Sequence, residues 1–382
     1  MDREWTELAS ADTVFRRRLL RSAPDVVIGL EQPSDRLTTE WEDLALQLRT
    51  SPFERPGWVL HQHRAYEDAD LEVMTARRSG TLVGVIPLTR PGKGRVRTVT
   101  NSPTPRASFV ISDWTILADM LQAAARRISG YMEIPRLDAG SPNVGRALER
   151  ARLSLAISSE ISHANPYLSL PGEYSEVVAR FSRNRRKKLN KTRRRLGERG
   201  QVSIEIVDGA AEVEEAYTQM LDLDATSWKG RQGDAIRERP QARRFYDSIV
   251  QWATEVGILR MAVLRLDERI VAADLLLESH GVVWAICGAY DEDYARYGPG
   301  ILLIDGEVQW AIRQHASRFE FCGTEADYKL IWADRVCPVQ YVRLFELSPR
   351  MVVRAGARVF GASVLRRGRQ WLADRRSAMS TV

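Results

Sequence analysis

Apolar positions along the chain change period repeatedly, and each change marks an element. Asp25-Val26-Val27-Ile28-Gly29-Leu30 is an apolar run of strand length, whereas Leu37 to Leu48 carries apolar residues at helical spacing. Leu71–Arg77 and Thr81–Leu88 flank Ser79-Gly80, which predicts a hairpin. A helix over Trp114–Ile128, a strand over Tyr131–Leu137 and a helix over Val144–Arg152 complete a mixed α/β unit. Pro171-Gly172 stops it. From Tyr174 to Leu196 no breaker occurs, and Val177, Val178, Phe181 and Leu189 are the apolar positions, so one long, mostly solvated helix is predicted, ended by Gly197 and Gly200.

The alternation then starts again. Val202–Val207 reads as a strand, and Ala211–Thr226 and Arg243–Glu255 as helices, the latter bounded by Pro240 and Gly257. Ile258–Leu266, Ile270–Glu278 and Val282–Tyr290 are three strands joined by Asp267-Glu268-Arg269 and His280-Gly281, an antiparallel meander. A Gly-Pro-Gly turn opens a helix over Ile301–His315, and Phe319–Cys322 and Val339–Phe345 close the series. The same order of elements run twice predicts a tandem duplication, although no repeat is visible residue by residue.

Length and composition fit this picture. At 382 residues the chain suits two domains, and 44% hydrophobic with 28% charged residues excludes a disordered or fibrous chain. No uncharged apolar run reaches membrane-spanning length and the start, Met1-Asp2-Arg3-Glu4-Trp5, has no apolar core, so a cytoplasmic protein is expected. Cys287, Cys322 and Cys337 show no CxxC spacing, which argues against a disulfide framework or a cysteine zinc site; His61 and His63 lack a third ligand, so no metal is expected.

Charge is unevenly spread. Residues 180–199 hold 11 Lys or Arg against Glu198 alone, and residues 350–376 hold eight Arg against Asp374, leaving a net −11 on the rest of a chain whose total is +6. Such blocks suit a polyanion, whether phosphate, nucleic acid such as RNA, or an anionic membrane surface. A solvated strut and a basic amphipathic tail are the plainer readings of the two segments. The expected organisation is an N-terminal extension (1–24), a first α/β domain (25–171), a basic helical arm (172–200), a second α/β domain (201–348) and a basic amphipathic tail (349–382).

The segment Ala289-Tyr290-Asp291-Glu292-Asp293-Tyr294-Ala295-Arg296-Tyr297-Gly298-Pro299-Gly300-Ile301 carries the chemistry. A strand ends, a glycine turn follows and a helix begins, which leaves unpaired backbone N–H groups in a field that favours negative charge. Placed after a three-stranded meander, the turn suggests a seat for the pyrophosphate of an acyl-CoA, formed by Arg296, Tyr297, Gly298, Pro299, Gly300 and Ile301.

Tyr294-Ala295-Arg296-Tyr297-Gly298-Pro299-Gly300, Ser227-Trp228-Lys229-Gly230, and Phe319-Glu320-Phe321-Cys322-Gly323 leading to Tyr328-Lys329-Leu330-Ile331-Trp332 together resemble the GNAT-type acyltransferases of the CelD/BcsL group, also called BioF2-like acetyltransferases. That group is akin to the Fem-type aminoacyltransferases. Ser51-Pro52-Phe53 and Gly57-Trp58 resemble its early segment, so the likeness spans roughly residues 25–346. It departs from the usual phosphate loop at Ala295, where Gln or Arg is typical. The resemblance implies tandem GNAT-like domains and transfer of an acyl group, acetyl first, from acyl-CoA to an amine or hydroxyl of a sugar, polysaccharide precursor or small metabolite. The Fem relationship brings an aminoacyl-tRNA donor as the alternative, and a degenerate scaffold that binds RNA or anionic membrane is the non-catalytic one.

Acyl transfer needs a route for protons. Tyr328 stands where such enzymes place a tyrosine that protonates a leaving thiolate. Asp274 is a lone acid in the apolar strand Ile270–Leu277, on the same face as Ala272 and Leu276, and is the candidate general base or amine anchor. Lys329, beside an apolar Leu-Ile-Trp run, is a candidate phosphate or carboxylate partner. Trp228 and Lys229 are candidates for an acceptor wall. Core packing is the alternative for both aromatics.

Overall fold

The computed structural model describes residues 25–346 apart from 68, 93–94, 101–103, 107–108 and 129–130; side chains at 126–128 are likewise left aside. The expected N-terminal extension and basic tail lie outside the described residues. The first half runs β1 (Val26–Glu31), α1 (Asp35–Gln47), α2 (Pro56–Tyr66), β2 (Leu71–Arg78), β3 (Thr81–Gly92), β4 (Arg95–Thr98), β5 (Val110–Ile111), α3 (Trp114–Ile128), β6 (Tyr131–Asp138), α4 (Pro142–Ala151) and β7 (Leu155–Ser169). After α5 (Tyr174–Ala179) and α6 (Arg183–Gly197) come β8 (Val202–Val207), α7 (Ala210–Thr226), α8 (Trp228–Arg231), α9 (Pro240–Glu255), β9 (Leu259–Leu266), β10 (Arg269–Ser279), β11 (Val282–Tyr290), α10 (Pro299–Arg313), β12 (Arg318–Glu320), α11 (Asp327–Leu330) and β13 (Arg335–Glu346).

The tandem α/β organisation is real. Both halves run strand, helices (two in the first half, and two longer ones with the short α8 between them in the second), a meander, a helix, a strand, a helix and a closing strand. Each has one parallel pair at the same place: β4 beside β6, and β11 beside β12. All strands nevertheless form one sheet, ordered β1-β2-β3-β4-β6-β13-β7-β12-β11-β10-β9-β8, with β5 attached to β3.

The closing strands are exchanged. β13, from the second half, pairs with β6 of the first, and β7, from the first half, pairs with β12 of the second. β7 and β13 then pair with each other from Arg335 opposite Tyr167 to Glu346 opposite Leu155. Periodicity predicts no strand over β7, whose sequence alternates weakly and contains Asn165-Pro166.

The single helix expected over Tyr174–Leu196 is two helices. Ser182 is extended, at φ −59° and ψ 155°, and its hydroxyl accepts from the Arg185 N–H, ending one helix and capping the next. The arm is also part of the second half's core. Leu189 and Leu196 are buried in one apolar cluster with Leu302, Leu303 and Val308 of α10 and Ala272 and Leu276 of β10. Arg193 binds Asp305 of α10 at 2.5 Å, and the Tyr174 hydroxyl donates to the same carboxylate. Among the described residues no helix is long and apolar enough to cross a membrane.

One ionic knot ties the halves together beneath the exchanged strands. Arg106, on the loop before β5, donates to both carboxylate oxygens of Glu320 at 2.9 and 3.0 Å and reaches Asp138 at 3.3 Å. Glu320 is 1% exposed and also pairs with Arg318 at 2.6 Å. Removing one partner of a buried pair strands the other's charge. Arg106→Ala is therefore expected to lose about 3 kcal/mol or more of stability in denaturant unfolding, whereas Arg90→Ala, which breaks a half-exposed pair with Glu72, should lose less than about 1 kcal/mol.

Candidate functional site

The site begins where two strands part. β11 and β12 pair only over Val282–Trp284 and Arg318–Glu320. Beyond that, Ile286 is an extra residue in β11, because Leu275 faces Cys287 and Leu276 faces Ala285, and the bulge bends β11 away. On the other side Cys322 and Gly323 adopt left-handed φ values of 50° and 58° and turn the chain out of the sheet. The distal half of β11 thus has one edge free of backbone partners, facing the opening.

Two adjoining cavities occupy the gap. The larger, about 460 Å³, is lined by Trp228, Lys229, Tyr290, Glu292 and residues 298–301. The smaller, about 110 Å³, lies between Ala285–Gly288 and Phe321–Gly323. Asp274, Gly288, Ile304 and Tyr328 line both.

Backbone conformation makes the anion seat. Gly298 takes φ 62° and ψ 48°, a left-handed conformation that glycine adopts without strain, and Pro299 starts α10 with its φ already set. A Cβ on Gly298 would come within 3.1 Å of Thr192 Cγ2 in α6, whereas one on Gly300 would meet only Tyr290 Cδ1 at 3.5 Å. Gly300 therefore presents bare backbone to the cavity at the positive end of a 15-residue helix. The start of α3, the matching helix of the first half, is filled by its own acid: Asp113 Oδ1 accepts from the Thr115 N–H at 2.7 Å and hydroxyl at 2.8 Å. Only the second half offers an open seat among these two helices.

Asp274 stands in the wall shared by the cavities. Oδ1 would lie 1.6 Å from a Cβ on Gly288, so only glycine fits there. Glu307, on α10 one turn after the buried Leu303, is wholly buried, and neither of its oxygens meets a donor on another residue. Its carboxyl faces that of Asp274, and two carboxyls bond to one another only when one holds a proton. Burial, then the Asp274 charge, pushes Glu307 well above the usual carboxyl range. Asp274 is pushed up to about 6 by burial, held there by the hydrogen bond from Glu307 and by the nearby Lys229 ammonium, which both favour its charged form. Tyr328 is half exposed at the cavity mouth, and burial together with the two carboxyls raises its hydroxyl to about 12.

Sequence candidates distribute unevenly. Asp274, Tyr328, Gly298, Pro299, Gly300, Ile301, Trp228 and Lys229 all line the larger cavity. Lys229 Nζ bonds Asp224 at 2.9 Å and the Gly288 carbonyl at 3.2 Å, and Asp224 also accepts from the Ile236 N–H, which fixes the 227–236 turn. Arg296 and Tyr297 face elsewhere: Tyr297 is buried, with the guanidinium groups of Arg296, Arg195 and Arg199 between 4.8 and 5.8 Å from its ring. Lys329 lines the smaller cavity with its ammonium turned to the Cys322 carbonyl at 2.7 Å and that of Thr324 at 3.2 Å, so it clamps the loop that leaves β12. Glu307 is a site residue that the sequence candidates do not include. An acid on the buried stripe of an apolar helix, four residues from Leu303, was its signal. Glu292, which accepts from the Trp228 N–H at 2.7 Å, was missed for want of any local signal.

Residues 183–330 match the family model described as an acetyltransferase (GNAT) domain. Similar solved structures include FemX (TM-score 0.56, 12% identity, 82% of this chain and 96% of that one) and a conserved protein of unknown function from Bacteroides thetaiotaomicron (0.55, 11%, 84% and 100%). A third is the C-terminal domain of a putative lysylphosphatidylglycerol synthetase from Agrobacterium fabrum (0.53, 13%, 86% and 95%). Identities this low speak for the fold. No curated protein matches the chain. Residues 183–330 are thus similar to a GNAT acetyltransferase domain, and the whole described chain has a tandem α/β fold similar to that of FemX.

A buried acid held above its unfolded value favours the folded state only while it stays protonated, so above pH 4.5 Glu307 costs stability that an uncharged side chain would not. Glu307→Gln should therefore raise Tm by about 2–4 °C at pH 8, and scanning calorimetry should show the gain shrinking as pH falls toward 4.5.

Proposed function

We propose that this protein transfers an acyl group from acyl-CoA to an amine or hydroxyl of a small acceptor, a sugar or polysaccharide precursor being the class suggested by the family resemblance. The observation that carries this reading is the meeting, in one cavity, of an open glycine turn at a helix N-terminus, a free strand edge and a titratable carboxyl. The residues fit the donor. Bare backbone at Gly300 suits the close approach of a pyrophosphate, and the gap beside β11 suits an extended chain whose amides can pair with the free edge.

Acyl-CoA, when bound, supplies the acyl group as a thioester. Asp274 is the base: with a pKa near 6 it is largely ionised at pH 7 yet basic enough to take the nucleophile's proton at its carboxylate. Glu307 keeps its proton and donates to Asp274, orienting it. Backbone N–H groups on the free edge of β11 are the donors available to a carbonyl oxygen that gains charge. Tyr328, un-ionised at neutral pH, gives its hydroxyl proton to the leaving sulfur and is recharged from water at the cavity mouth. Trp228 forms the outer wall for the acceptor, which enters on the side of the 227–236 turn.

Two measurements test this. Gly300→Val should project a branched side chain into the seat and abolish CoA binding in calorimetry with the fold retained; unchanged affinity would move the seat elsewhere. In the parent, kcat/KM should climb with pH through about 6 and then level, since the carboxylate form of Asp274 is the active one. Asp274→Asn and Tyr328→Phe should lower turnover by about 10²–10⁴-fold. Glu307→Leu, which removes the bond that stabilises the ionised Asp274, should shift the rising limb to higher pH. Rates within threefold of the parent for Asp274→Asn would reject it as the base.

A further inference from the structure

The basic helix α6 buries one stripe and gives the other to water. Arg183, Arg186, Lys187 and Lys191 are exposed, and among the described residues none of them is in an ion pair, whereas Arg193 is held by Asp305 and Arg194 by Glu198. Arg183, Lys187 and Lys191 stand four residues apart on one face, a spacing at which like charges repel. An external layer of anions would relieve that repulsion.

Beside this face lies a cavity of about 290 Å³ with an apolar wall, Phe181 and Leu189 on one side and Ile301, Ile331 and Trp332 on the other. The Arg185 guanidinium is packed 3.5 Å over the Phe181 ring and belongs to the wall. No carboxylate lines the cavity, and the exposed Lys188 is a cation at its rim. At about 30 Å³ per water the space holds roughly ten heavy atoms, in surroundings that offer water few partners. Leu330, next to Ile331 in the chain, is 45% exposed and carries the apolar surface outward.

An apolar pit beside unpaired cations fits an anionic amphiphile. A phosphate alone finds no use for the pit. Single-stranded RNA is gripped by cations together with exposed aromatic rings on which bases stack, and here Phe181 and Trp332 are only 6% and 2% exposed. A phospholipid layer supplies both parts, negative headgroups for the cations and a hydrocarbon chain for the pit.

We propose that α6 docks on an anionic phospholipid surface, with its outer cations against the headgroups and one acyl chain in the pit. The candidate site lies next to the docked face: Ile301 lines both the pit and the larger cavity, and Tyr328 at the cavity mouth leads within one helical turn to Ile331 of the pit. The proposal does not depend on which donor that site takes.

The test is flotation of the full chain with vesicles of phosphatidylcholine alone and of phosphatidylcholine mixed with phosphatidylglycerol. The parent should float with the anionic vesicles only, and its affinity should fall steeply between about 50 and 200 mM salt. Each Lys or Arg near such a surface contributes about fivefold, so Arg186→Gln/Lys187→Gln/Lys191→Gln should weaken binding by about 10²-fold and Lys188→Gln by about fivefold. Arg244→Gln removes an exposed cation from α9, which packs on the opposite face of β10, and should bind as the parent does. Phosphatidylglycerol brominated on its acyl chains should quench the tryptophan emission of the parent more than that of Trp332→Phe. The Gln variants alter only exposed side chains, so they decide the headgroup contact even if Trp332→Phe unfolds. No flotation with anionic vesicles, a loss shared equally by Arg244→Gln, or equal quenching of parent and a folded Trp332→Phe would overturn the proposal. Single-stranded RNA bound at about 150 mM salt by a parent that ignores the vesicles would overturn it in favour of a nucleic-acid grip. None of these outcomes bears on CoA binding at the glycine turn, so the donor reading stands or falls separately.

Discussion

The parting of β11 from β12 after three paired residues is the constraint on which the rest of this molecule depends. Backbone N–H and C=O groups inside a sheet need partners, and an interior strand with one bare edge is tolerated only where water or a ligand can reach it. The bulge at Ile286 and the left-handed pair Cys322-Gly323 enforce the parting from both sides. Lys329 holds the departing loop by two of its carbonyls, so the gap is kept open by the fold itself. Asp274, Gly288 and Tyr328 matter because they border it.

Opening a sheet in its middle would weaken a single domain. Here the exchange of β7 and β13 compensates, since each half is closed by a strand from the other and the two exchanged strands run together for 12 paired positions. The Arg106–Glu320 pair lies where β12 meets the first half's loop, so the short strand next to the gap is anchored from outside its own unit. Folding of either half on its own would leave a long unpaired edge and a stranded buried acid.

Asp274 and Glu307 show how stability is traded for chemistry. A leucine at either position would suit the surrounding apolar cluster better than a carboxyl. Two facing acids in low dielectric cannot both ionise, so one keeps its proton and the other titrates close to neutrality, which is the condition a proton acceptor needs.

Much of this was legible in the chain. Periodicities of two and 3.6 gave most strands and helices of both halves, though not α2, β4, β5, β7, α8 or α11, and the Gly298-Pro299-Gly300 turn was readable because only certain residues adopt its backbone angles. Asp274 was visible as a polar exception to an apolar strand. These signals are local: each depends on a residue and its neighbours within a turn or a pleat. The strand exchange, the facing of Glu307 to Asp274, the turning of Arg296 and Tyr297 away from the seat, and the inward stripe of the arm were decided by tertiary structure alone. They depend on which distant segments become neighbours, as with Thr192 against Gly298, and a pattern along one chain holds no information about the partner across the gap.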